Sequence, residues 1–165
     1  MFFRKKAGDD ASGTELERTI RAHVPHAEDG VVETIAAVAG LLVQVAFEDR
    51  PYLPAEEALI RQELSRVRAL DEAGVSAVCE VLRKHTAHIA LFEARQYARY
   101  LTENTDREFR ASLVDLMIDV AAADDNVTVA ETNLIRRLVE LLGLTQDDYL
   151  ASQSRHRDKL AVLKA

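Results

Sequence analysis

Apolar residues recur at three- and four-residue spacing along most of the chain. No stretch alternates Val, Ile and Thr with polar residues for long enough to make a strand. Gly and Pro are few and fall between the periodic segments. The pattern predicts eight helices. Ser12 and Glu15 form a capping box for a short first helix, which Pro25 stops. Asp29 caps a second helix over residues 31–47, whose sequence IAAVAGLLVQVAF is apolar on most of its surface and so belongs at the centre of the fold. Pro51 and Pro54 then break the chain. Pro54 suits the first position of a third helix reaching Ala69, with Ala58, Leu59, Leu64 and Val67 inward. A fourth helix covers residues 71–88 and a fifth 89–101. Thr105 with Glu108 forms a capping box for a sixth helix over 106–123. Thr128 with Glu131 does the same for a seventh, closed by Gly143. Thr145 and Asp148 start an eighth that runs to near the C-terminus. The expectation is an all-α, single-domain bundle of seven or eight helices over residues 14–165, behind a flexible basic and polar tail at 1–13.

The chain also repeats itself. Residues 41–62 (LLVQVAFEDRPYLPAEEALIRQ) align without a gap on residues 116–137 (LMIDVAAADDNVTVAETNLIRR), and nine of the 22 positions are identical. Most identities are apolar and would be shared by any two amphipathic helix pairs. Asp49/Asp124 and Glu56/Glu131 are different, because they fall where one helix ends and the next begins. Such a repeat implies two helix–loop–helix halves related by pseudo-twofold symmetry.

Two readings of the repeated carboxylates stand side by side. In the structural one, Glu131 returns to the backbone at Thr128 and meets the positive end of the helix dipole, Glu56 does the same behind Leu53 and Pro54, and Asp49 and Asp124 bond turn N–H groups. In the functional one, the loops hold a divalent cation, since Ca, Mg or Mn takes several oxygen ligands that a loop Asp and a first-turn Glu can supply together. Asp124, Asp125, Asn126 and Glu131 are the main candidate ligands, with the Thr128 hydroxyl beside them and Asp119 one turn earlier. Asp49 and Glu56 form a weaker, repeat-related site, because Arg50, Pro51 and Tyr52 replace the polar residues there. An EF-hand is excluded: the twelfth position counted from Asp124 is Ile135, and the central Gly is missing.

Those stretches, FEDRPYLPAEEALIR and AADDNVTVAETNLIRRLVELLGL, resemble the TerB tellurite-resistance family. Its two halves each carry Ala-Asp-Gly with a Glu seven residues after the Asp. The N-terminal domain of a membrane-anchored DnaJ-type co-chaperone is similar. The resemblance covers residues 30–152. It implies an all-α fold, no established catalytic activity, a proposed role for the acidic residues in metal binding, and work at the cytoplasmic face of the membrane with stress-response partners. Arg50 and Asp125 stand where the family has Gly. Asp tolerates a left-handed turn, whereas Arg50 also precedes Pro51 and is pushed toward extended backbone, so the two loops are not expected to be equivalent.

Charge and composition narrow the function further. A net charge of −7 argues against sequence-independent binding to nucleic acid and permits a cation or a basic protein partner. The single cysteine, Cys79, excludes an internal disulfide and reads as a core residue of a reducing compartment. The longest apolar stretch, Ile35 to Phe47, is shorter than the ~20 residues of a membrane span. Phe2 and Phe3 beside Arg4, Lys5 and Lys6 give a candidate peripheral contact with an anionic membrane, consistent with a cytoplasmic protein at its inner face. None of the five histidines follows a Glu by three residues, which removes the di-iron pattern. His85 and His88 share a helix face, yet no carboxylate or Cys at helical spacing completes a metal site with them. No nucleophile elbow, Cys/His signature or phosphate-binding glycine loop is present, so the chain reads as a non-enzymatic module.

Overall fold

The computed structural model describes residues 13–47, 54–124 and 127–155. Within them lie eight α-helices and no strand: α1 (Glu15–His23), α2 (Asp29–Phe47), α3 (Pro54–Ser65), α4 (Glu72–His88), α5 (Ala94–Asn104), α6 (Arg107–Ala121), α7 (Val129–Leu141) and α8 (Gln146–Arg155). A π-helical segment, Ile89–Glu93, joins α4 to α5. The eighth helix expected to run to near the C-terminus is described only to Arg155; the Ser12 cap and the Phe2–Lys6 segment also lie outside the described residues.

Helix α2 is the axis of the bundle and packs against α1, α3, α4, α5, α6, α7 and the π-helical segment. By length and composition it could cross a membrane, but 61% of its apolar window is buried inside the bundle. Ala36, Ala37, Ala39, Leu41, Val43 and Val45 are fully buried, which explains why the sequence is apolar on nearly every side. Leu82, Leu101, Met117 and Leu138 close around it from four neighbouring helices. Each such side chain contributes roughly 1.5–3 kcal/mol through burial. Cys79 is in this core, where burial pushes its thiol pKa up.

Several helix ends follow the sequence, and others move by one or two residues. Pro54 opens α3, Gly143 ends the turn after α7 with φ 68°, and Thr145 and Asp148 cap each other's N–H groups at 2.8 and 3.3 Å. Asp71 caps α4 by accepting from Gly74 N–H at 2.7 Å. The cap of α1 is Thr14, which accepts from Glu17 N–H at 3.2 Å, rather than Ser12 with Glu15. Asp106, not Thr105, caps α6, accepting from Phe109 N–H at 2.8 Å. Asp29 lies inside the first turn of α2 and pairs with Arg21, while the Glu28 carbonyl accepts the first helical bond. At α1 and α6 the cap is the polar residue immediately before the first helical residue. Helix α3 ends at Ser65 and turns rather than continuing to Ala69. Along it Ile60 is buried and Ala58 is exposed, so the inward face is rotated from the one expected.

Helix α4 kinks at His85 (φ −114°, ψ 17°), where the Thr86 hydroxyl bonds back to the Leu82 carbonyl. The bond from Ala94 N–H to the Ile89 carbonyl then spans five residues, the mark of a π turn. This register keeps Ile89, Glu93, Ala94, Tyr97 and Leu101 buried together and turns Leu91 and Phe92 outward, 75% and 71% exposed.

Candidate functional site

The second acidic loop begins where α6 ends and closes at the cap of α7. Thr128 is extended (φ −84°, ψ 161°), and its hydroxyl oxygen accepts from Glu131 N–H at 3.1 Å. That is half of the capping box expected from the sequence. Glu131 is then buried to 1% exposure in the first turn of α7, and Glu56 to 0% in the first turn of α3. The repeated glutamates are thus the two most deeply buried acids among the described residues. Ionised carboxylates are rarely buried so fully, because desolvation must be offset by partners. Both have interactions of their own, and both sit where the helix dipole favours negative charge.

Asp124 is half-buried in the turn after α6, and Asp119 lies within α6 and is also held by neighbours. Asp125, Asn126 and Asp49 lie outside the described residues, so of the main candidate ligands the structure places Asp124 and Glu131, and of the weaker pair only Glu56. Among the described residues, no three His, Cys, Asp or Glu side chains lie close enough to share a metal ion. Gln44 stands one turn before the first loop, at the repeat position of Asp119. Its Oε1 is buried without a hydrogen-bond partner, the kind of acceptor that costs about 1–3 kcal/mol unless something fills it.

A family model described as Tellurite resistance protein TerB matches residues 34–153. The chain belongs to the TerB family. Comparison with curated proteins and with solved structures gave no match. In this TerB chain the matched stretch runs from α2 into α8 and contains both acidic loops, while α1 lies before it.

One polar cluster of the TerB chain was missed by spacing arguments. Glu93 is 8% exposed, and its Oε2 accepts from the Tyr97 hydroxyl at 2.8 Å. The Tyr97 oxygen lies 2.9 Å from Thr14 Oγ1 at the cap of α1. Because Tyr97 has a single proton and gives it to a carboxylate, Thr14 must donate to Tyr97. Burial pushes the Tyr97 pKa far up, so the hydroxyl stays protonated and keeps donating. On its other oxygen, Oε1, Glu93 faces His88 Nε2 at 3.5 Å. Glu93 is the carboxylate that α-helical spacing failed to find for the histidines. It follows His88 by five residues, a separation that one π turn closes and an α-helix does not.

Proposed function

We propose that this TerB-family chain is a non-catalytic module of the tellurite and general stress response, whose second acidic loop takes up a divalent cation through Asp124, Asp125, Asn126 and Glu131. The observation that carries this reading is the near-complete burial of Glu131 and of its repeat partner Glu56, at 1% and 0% exposure. Both carboxylates already have partners of their own, and a hard cation would join them in an all-oxygen donor set of this kind. Asp124, Asp125 and Asn126 add oxygens next to Glu131 in sequence. Asp49 and Glu56 form the weaker counterpart, and Gln44, one turn before that loop in sequence, carries a buried acceptor of the right type. The module belongs in the cytoplasm, where a protein partner, or an anionic membrane contacted by Phe2, Phe3, Arg4, Lys5 and Lys6, receives it.

The test is thermal melting of chelator-treated protein with Ca²⁺, Mg²⁺ or Mn²⁺, for wild type and Asp124→Asn. A cation that binds only the folded chain at ~100 times its Kd adds about 2.7 kcal/mol. That is a rise of several degrees at this chain length. The proposal requires a rise in wild type that the variant lacks. If no ion raises the melting temperature, the second reading takes over: a co-chaperone-like docking domain with acidic loops that serve only as helix caps. The bond from Glu131 N–H to Thr128 favours that alternative. For the membrane contact, co-sedimentation with anionic vesicles should weaken when Arg4, Lys5 and Lys6 become Gln, and unchanged binding would remove it.

A further inference from the structure

A cavity of about 500 Å³ lies between the start of α1 and the α4–α5 junction. This is the size of a small-molecule pocket. It spans helices inside and outside the family match, since Gly13 to Arg18 precede residue 34. Its apolar wall is Leu16, Val81, Ile89 and the outward ring of Phe92. Its polar residues include Glu93, His88 and His85 from the kinked junction, and Thr14, Glu15 and Arg18 from α1.

The charges here leave a surplus of carboxylate. Arg18 is occupied by the Gly13 carbonyl at 2.6 Å and by Glu15 at 2.9 Å. Glu93 gives Oε2 to Tyr97, and Oε1 faces the exposed His88 Nε2 at 3.5 Å, an ion-pair distance longer than a good hydrogen bond. Nearby, burial raises the Glu17 pKa, a backbone hydrogen bond at Thr14 pulls it back, and the charges of Glu33 and Glu93 raise it again. Arg18 opposes them, so Glu17 feels two acids and one base beside the cavity. Phe92 lines the cavity with Glu93, tilted against His88 with ring centres 5.0 Å apart, and offers a ring of the kind that attracts cations. Backbone π turns recur at functional sites, and this one sets both Glu93 and Phe92 in place.

We infer that the cavity binds a primary ammonium group carrying a short apolar arm, with Glu93 Oε1 taking the ammonium and Leu16, Ile89 and Phe92 covering the arm. A free amine and a lysine side chain of a peptide share this chemistry. The site is separate from the acidic loop at residues 124–131 and stands whether or not that loop binds a cation.

The test is a titration of the full chain followed by amide NMR shifts, with phenethylammonium, the neutral isostere 2-phenylethanol, and a blocked Phe-Lys dipeptide as probes. Saturable shifts at Thr14, His88 and Phe92 with either cation, and none with the alcohol, are expected. Glu93→Gln keeps an acceptor for Tyr97 but removes the charge, and should weaken binding at least about tenfold. Phe92→Ala alters an exposed ring, leaves the core intact and should also weaken it. Tighter binding of the dipeptide assigns the site to peptide lysines, and tighter binding of phenethylammonium to free amines. No saturable shift, equal binding of the alcohol, or Glu93→Gln and Phe92→Ala proteins that both bind like wild type would overturn the inference.

Discussion

Gly40 lies in the middle of α2, where a glycine costs about 1 kcal/mol of helix stability relative to alanine. Changing it to alanine should nevertheless destabilise the fold. A Cβ at this position would stand 2.6 Å from Cδ2 and Cε2 of Tyr97, far inside the usual carbon contact near 3.5–4.0 Å. The ring has little freedom to retreat. It is 3% exposed, and its hydroxyl is held by Glu93 at 2.8 Å and Thr14 at 2.9 Å. Overpacking of this kind costs about 1–3 kcal/mol, and weakening a bond to a buried carboxylate adds about 1.5–3. Set against the propensity gain of about 1 kcal/mol, the net loss for Gly40→Ala is about 1.5–5 kcal/mol. At this chain length the melting temperature should fall by at least about 3 °C. Calorimetry on Gly40→Ala, Tyr97→Leu and the double variant forms a cycle. In the Tyr97→Leu background the alanine should become neutral or stabilising, because the obstructing ring is gone. A Gly40→Ala protein that melts at or above wild type would refute the anchored-ring argument.

Two further outcomes follow from local geometry. Thr128→Ala removes the acceptor for Glu131 N–H and should cost about 1 kcal/mol in urea unfolding, whereas Thr128→Ser should cost little. The Arg107 guanidinium and the Thr145 N–H hold the Asp148 carboxyl at about 2, below its ordinary 3.8. A depressed acid contributes stability above its unfolded value that disappears as pH falls through the folded one. Stability measured from pH 5 downward should therefore decline less steeply in Asp148→Asn than in wild type, and an identical decline would remove the pair from the account.

The helical class, the central position of α2 and the helix starts at Pro54, Thr128 and Thr145 were legible because each depends on residues within a few places of one another. So was membership in the TerB family, since the repeated Asp and Glu are themselves sequence marks. Caps were less legible at Thr14 and Asp106, where adjacent polar residues offer equivalent side chains and the backbone path chooses between them. The face of α3 was misjudged at Ala58, which is too small to fix an orientation against the pull of Ile60 and Leu64.

By itself, the sequence determined which segments are helices and which acids recur at the loop ends, because periodicity and repetition are properties of order along the chain. It could not say that Glu56 and Glu131 would be among the most buried acids, since burial depends on what the neighbouring helices cover. Nor could it place Glu93 beside His88. That pairing needs a five-residue turn, and such a turn forms where tertiary packing asks Ile89, Ala94, Tyr97 and Leu101 to face one core together. Local spacing sets the default register of a helix, and packing of the π-helical segment against α2 goes with the change.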